Sequence, residues 1–201
     1  MARENFFEIE SHAAHAVLRL SSPDRTNRLT RACVLVLTKE IRALSEARPL
    51  IIAGNSHFFS VGADLNEIAA LTGPEAYEFS RMGQSLMNAI ASFPAPVIAA
   101  VEGHCMGGGL DLALACHRRI AAPNAVFGHR GAALGLMTGW GGTQRLPRLI
   151  GKARALELFV AAEKISAARA LEIRLVEAVV EHPVDEALRS LQAATPFSAL
   201  V

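Results

Sequence analysis

The sequence predicts an α/β protein built on a largely parallel sheet. Short, unbroken apolar runs, LIIA at 50–53 and PVIAAV at 96–101, have the composition of strands buried on both faces. Around them lie stretches with apolar residues at helical spacing, so strand and helix alternate along most of the chain. The length, 201 residues, suits one domain with a substantial core, and no repeat, low-complexity segment or linker divides it.

Each element has its own signal. FFEIE and AVLRL alternate as two strands joined by the polar turn SHAAH, and SSPDRTNR is a loop. LTRACVLVLTKEIRALSEA sets Leu29, Cys33, Leu37, Ile41 and Leu44 at helical spacing, and Pro49 ends it before LIIA. GNSHFFSVGADLNE reads as a loop of small residues. A helix follows from about Pro74 to Phe93, with proline at its first position and Phe79, Met82, Leu86, Ile90 and Phe93 along one face. PVIAAV then runs through Glu102 and Gly103 into three glycines, 107–109, and a helix from Leu110 to Cys116. RRIAA and AVF are strands, AALGLMTGWGG is a loop, and TQRLPRLIG, KARALELFVAA and SAARALEI are short helices. LVEAVV is a late strand and PVDEALRSLQAA a final helix.

Composition removes several classes of function. The net charge is +1, from 20 basic and 19 acidic residues with no basic block, which excludes a nucleic-acid partner. Cys33, Cys105 and Cys116 are odd in number and widely spaced, which fits a reducing cytoplasm rather than a disulfide scaffold. MARENFFEIE carries charge where a signal peptide is apolar, and PVIAAV is far too short to cross a bilayer. The expectation is a cytoplasmic protein with no membrane partner. Hydrophobic residues make up 51% and mean hydropathy is +0.28, so some apolar surface is expected to be covered by other subunits.

HCMGGGLDLALAC, 104–116, is the first stretch with chemical content. It is not a P-loop, because Leu110 stands where a lysine is needed, and its glycines have the wrong spacing for a dinucleotide fingerprint. His104-Cys105 and Cys116-His117 lie at opposite ends of the expected helix, too far apart at roughly 1.5 Å per residue to share a metal ion. Glycine at a helix start leaves the first N–H groups open to a ligand, and the helix dipole favours negative charge there. A second small-residue turn, Gly62-Ala63, also follows a buried strand. In one parallel sheet the two turns would reach the same edge. They are either ordinary strand-to-helix turns or a pair of amide donors for an oxyanion.

FFSVGADLNEI, PVIAAVEGHCMGGGLDLALAC and FGHRGAALGLMTGWGGTQRLPRLIGKARALEL together resemble the enoyl-CoA hydratase/isomerase family, the crotonase superfamily, in order and spacing. The resemblance implies a crotonase-like fold of stacked ββα units over about 1–150, with a shortened helical C-terminal region over about 151–201, as one domain in a homo-oligomer, a trimer or hexamer. It implies an acyl-CoA thioester as substrate, with coenzyme A entering as part of that substrate and no separate cofactor or metal. Ala63 and Gly108 would donate N–H groups to the thioester oxygen, and Asp64, Leu65 and Asn66 would lie along the CoA chain. The family's first catalytic glutamate corresponds to Asp111, a carboxylate one methylene shorter. The second corresponds to Gly131, and the aspartate position of some isomerases and dehalogenases to Gly139.

These departures shape the functional expectation. Asp111 is either a dipole partner of its helix or the general acid/base. His129 and His104 are either packed histidines or substitutes for the missing acid. Arg130 and Trp140 are structural or pocket-lining, and Cys105 is a packed residue. Asp24 would repel a CoA phosphate unless Arg25 or Arg28 compensates. The expected activity is that of an acyl-CoA lyase or isomerase acting through a thioester enolate: hydration or isomerisation of an enoyl-CoA, or decarboxylation of a malonyl-type thioester. The alternative is a binding subunit that has lost the chemistry.

Overall fold

The computed structural model describes residues 6–44 and 48–193. The start of MARENFFEIE, the expected helix end at 45–47 and the segment 194–201 lie outside the described residues. β1 (Phe7–Ser11) and β2 (Ala16–Leu20) form the expected hairpin. β3 (Arg28–Leu29) follows, then α1 (Arg31–Ala43), whose first turn is capped by the Thr30 side chain accepting from the Cys33 N–H. β4 (Leu50–Ala53), β5 (Phe58–Ser60), β6 (Gly62–Ala63), α2 (Leu65–Ala69) and α3 (Gly73–Ala91) come next. The centre of the chain holds β7 (Val97–Val101), β8 (His104–Met106), α4 (Gly108–Ala115), β9 (Arg118–Ala121) and β10 (Val126–Gly128). After a short 3-10 turn at Ala132–Leu134 come α5 (Gly142–Ile150), α6 (Lys152–Ala161), β11 (Ile165–Ser166), α7 (Ala167–Glu172), β12 (Ala178–Val179) and α8 (Pro183–Ala193).

The larger sheet has six strands in the order β1-β2-β4-β7-β9-β12 and is parallel from β2 onward. All residues of LIIA and of VIAAV are buried, and alternation splits them between two cores. Leu50, Ile52, Val97 and Ala99 face the main core, while Ile51, Ala53, Ile98 and Ala100 face α8 through Ala187. The second sheet runs β11-β10-β8-β5, with β5, β8 and β10 mutually parallel. β4 with β5, β7 with β8, and β9 with β10 are thus successive pairs, one strand in each sheet. In the β7–β8–α4 unit the helix follows directly, and stacking such units makes the ββα architecture.

Several sequence expectations change. GNSHFFSVGADLNE is not all loop, since it contains β5, β6 and the start of α2. The chain between β7 and α4 contains β8. Both strands are three residues long, too short for alternation to register, and they form because a neighbouring unit supplies a partner. The α4 helix begins at Gly108, two residues earlier than expected, and LVEAVV shortens to the two residues of β12.

Candidate active site

Register brings the two glycine turns together. Ser60 of β5 pairs with Cys105 of β8, so the residues three further along each chain, Ala63 and Gly108, emerge side by side. The first turn is fixed from beneath. The Ser60 hydroxyl donates to Asn27 O at 2.6 Å and accepts from the Gly62 N–H at 3.0 Å, while Asn27 Nδ2 donates to Phe58 O at 2.8 Å. The second turn depends on Gly107, whose φ of 51° and ψ of −120° belong to glycine. Its carbonyl accepts the first helical bond of α4 from the Asp111 N–H at 3.0 Å. The two turns touch: a Cβ at Gly62 would lie 2.6 Å from Gly108 N, and one at Gly108 would lie 3.2 Å from Ala63 N.

Asp111 sits one turn along α4 from Gly108, on the same helix face. It is 1% exposed. Oδ2 accepts from the Thr138 hydroxyl. Oδ1 faces His129 Nε2 at 3.2 Å, and His129, just beyond β10, is itself 5% exposed. The atoms approach without the alignment of a hydrogen bond, so each is buried and unpartnered. The His129 ring packs on Phe159 of α6 at 5.2 Å. The approach requires glycine at 142, where a Cβ would lie 2.2 Å from Asp111 Oδ1 and 2.9 Å from His129 Nε2. Arg145, one turn further along α5, donates to Trp140 O at 3.3 Å and to Asn88 Oδ1 at 2.9 Å. Burial lowers its pKa, and the nearby Asp111 carboxylate opposes that shift.

The other sequence candidates fall outside this cluster. His104 is half-buried on β8 with its ring 5.5 Å from Phe58, and no observed contact links it to Asp111 among the described residues. Cys105 is fully buried. Burial first, then Cys116 and Asp111, raises its thiol well above the ordinary range, so it remains a protonated packing group. Asp64 caps α2, with Oδ1 accepting from the N–H groups of Asn66 at 2.7 Å and Glu67 at 3.2 Å. Leu65 and Asn66 are exposed beside it. Arg28 bridges Asp64 at 3.1 Å and Asp24 at 3.3 Å, and so compensates the acid of the SSPDRTNR loop. Arg25 and Arg130 are exposed.

Gly131 opens the 3-10 turn and accepts from the N–H groups of Leu134 and Leu136, both at 2.8 Å. A Cβ there would lie 2.7 Å from Leu136 O. Trp140 is buried, with Nε1 donating to Phe79 O at 3.2 Å, and its ring lies against Gly108 and Gly83. Thr138 and Gly142 escape sequence reasoning, because nothing in AALGLMTGWGGTQR marks either as a neighbour of Asp111. Among the described residues no group of three or more His, Cys, Asp or Glu could hold a metal ion. No helix among them is long and apolar enough to cross a membrane.

A ββα stack with two glycine turns in contact at its edge, and a carboxylate one turn behind, defines a class of protein. The chain belongs to the enoyl-CoA hydratase/isomerase family, whose model it matches over residues 10–194. It is 50% identical over 130 residues to a probable enoyl-CoA hydratase of Bacillus subtilis, a match covering 64% of this chain and half of that relative's length. Among solved structures, an enoyl-CoA hydratase from Bacillus anthracis superposes with a TM-score of 0.88 at 35% identity, over 94% of this chain and 76% of the other. Pseudomonas aeruginosa DspI gives 0.89 at 33%, over 98% and 84%. These neighbours agree with the crotonase-like fold expected from the sequence.

Proposed function

We propose that the protein binds an acyl-CoA thioester, holds its carbonyl oxygen between the amides of Ala63 and Gly108, and uses Asp111 as acid/base on the resulting enolate. One observation supports this reading: the Ala63 and Gly108 turns are in contact at a helix start whose same face carries a buried carboxylate. Donors aimed at developing negative charge lower the barrier, and loss of one typically costs about a hundred- to a thousand-fold in rate. The turn Asp64-Leu65-Asn66 is the proposed contact for the CoA chain. The reaction is isomerisation of an enoyl-CoA or decarboxylation of a malonyl-type thioester. Both need fewer acid/base groups than hydration, and Gly131 offers no second carboxylate. Association into a trimer or hexamer and a cytoplasmic location belong to the same proposal.

A second reading, a binding subunit without chemistry, draws on the depth of Asp111 and its engagement by Thr138. Turnover of a panel of enoyl- and malonyl-type CoA thioesters by wild type and Asp111→Asn separates the two. The enzyme reading predicts turnover that falls at least about a hundredfold in the variant with binding retained. Binding without turnover by either protein favours the second reading, and absence of both sinks the acyl-CoA assignment.

A further inference from the structure

The pairing of Asp111 with His129 leads beyond a one-carboxylate site. Asp111 Oδ1 and His129 Nε2 are both buried, both without a hydrogen-bond partner, and 3.2 Å apart. A carboxylate sealed from water is costly unless a compensating group lies beside it. The imidazole is that group, and Gly142 holds the space for it. We propose that His129 is the proton partner of Asp111, so that the two side chains act as one acid/base couple and His129 supplies the second proton position that Gly131 lacks. This rests on the acyl-CoA reading above and adds to it a named residue and a route for the proton.

The third ββα unit delivers His129 to this place. Phe127 of β10 pairs with Cys105 of β8, which pairs with Ser60 of β5, so all three units end at one edge. One side of the ring is apolar, bounded by Leu110, Phe127, Leu146, Leu158, Ile165 and Leu175. Among the described residues, Arg145 from α5 and Cys105 from β8 interact electrostatically with Asp111, and Cys105 stays protonated. Thr138 is half-buried and is the outermost member of the cluster, lying on the far oxygen of the carboxylate. A thioester that displaces the Thr138 hydroxyl meets Oδ2 while Oδ1 remains with His129.

For a β,γ-unsaturated thioester the step balances without a co-reactant. The bond from the α-carbon to its proton breaks, and the electron pair passes into the enolate held by the two amides. At rest the couple holds one proton between Oδ1 and Nε2. Oδ2 takes the α-proton while the shared proton settles on Nε2, leaving imidazolium beside the neutral acid. Oδ2 then gives its proton to the γ-carbon, the shared proton returns between Oδ1 and Nε2, the enolate collapses, and the α,β-isomer leaves with every atom accounted for.

The experiment compares wild type, His129→Gln, Asp111→Asn and the double variant. It measures isomerisation of a short β,γ-enoyl-CoA as a function of pH, with thioester binding and thermal melting recorded in parallel. Glutamine keeps an N–H at the ε position but carries no titratable proton. The expected result is binding retained within a few-fold and a rate lower by about a hundredfold. The variant should also change the pH dependence of the rate, because glutamine carries no titratable proton. The double variant should be little worse than either single, because the two residues act as a unit. A wild type that turns over while His129→Gln matches its rate and pH profile overturns this proposal and leaves the function standing. A wild type that binds without turnover, or does not bind, overturns the function and the couple with it. If His129→Gln does not fold, His129→Asn takes its place with the same readouts, and an unchanged rate and pH profile in that variant overturns the couple.

Discussion

Gly142 has no side chain, and the volume a Cβ would take is filled by Asp111 Oδ1 and His129 Nε2. Gly142→Ala therefore forces the couple apart. The expected outcome is a loss of about 1–3 kcal/mol of stability from overpacking, read by urea denaturation. Thioester turnover should fall with it while binding persists. Thr138 acts on the other oxygen. Thr138→Val keeps the shape and removes the hydroxyl that donates to Asp111 Oδ2, leaving a buried acceptor without its donor. That should cost about 1–3 kcal/mol, read by the same method, and an unchanged urea midpoint would remove Thr138 from the account. Legibility at this scale was uneven. Asp111 was visible because a lone acid in an apolar helix start is conspicuous. Thr138 was not, because a threonine in a loop has no pattern and its partner lies 27 residues away in the chain.

Two elements test how the site is supported. α3 passes the site at Gly83, where a Cβ would lie 2.1 Å from Trp140 Nε1, in contact with the indole that also covers Gly108. Gly83→Ala should displace the Trp140 ring and lower the melting temperature, with Trp140 fluorescence reporting the shift. An unchanged spectrum and melting point would show that the ring has room. α2 offers a pH test. The Ser22 hydroxyl, then Thr26 and Arg28, hold the Asp24 carboxyl below its ordinary range against the opposing effect of burial. For Asp64 burial pushes upward, but Arg28 and the N–H groups of Asn66 and Glu67 outweigh it. Carboxyls depressed in the folded state stabilise fully above the unfolded value of about 3.9, and the benefit is lost as pH falls through the lower folded value. Arg28→Gln should therefore flatten the fall in urea midpoint below about pH 4. The effect should be small because Arg28 and Asp24 are open to water, which screens their pairing. A wild-type slope in the variant would exclude Arg28 as the cause. LIIA and VIAAV were legible because they are buried on both faces, whereas β5 and β8 became strands only through each other.

At the scale of the whole molecule, the stack explains why the fold was easier to read than the site. Each ββα unit carries its own periodicity, but the site depends on register between units, and register is a property of pairing rather than of any one segment. The surface bordering the site holds a further feature. Leu156 and Val160 lie one turn apart on α6, 64% and 68% exposed, and the 3-10 turn packed against that helix carries Leu134 at 57%, with Met137 just beyond at 61%. Side chains of this kind gain about 1.5–3 kcal/mol each when fully covered, so leaving them in water forgoes a substantial stabilisation. The proposed self-association accounts for them if another copy covers this face. Sedimentation of the wild type should then show an oligomer, and Leu156→Glu with Val160→Glu should shift it toward monomer while the circular dichroism spectrum is retained. A monomeric wild type at tens of micromolar, or an oligomer indifferent to both charges, would place the subunit contact elsewhere or nowhere.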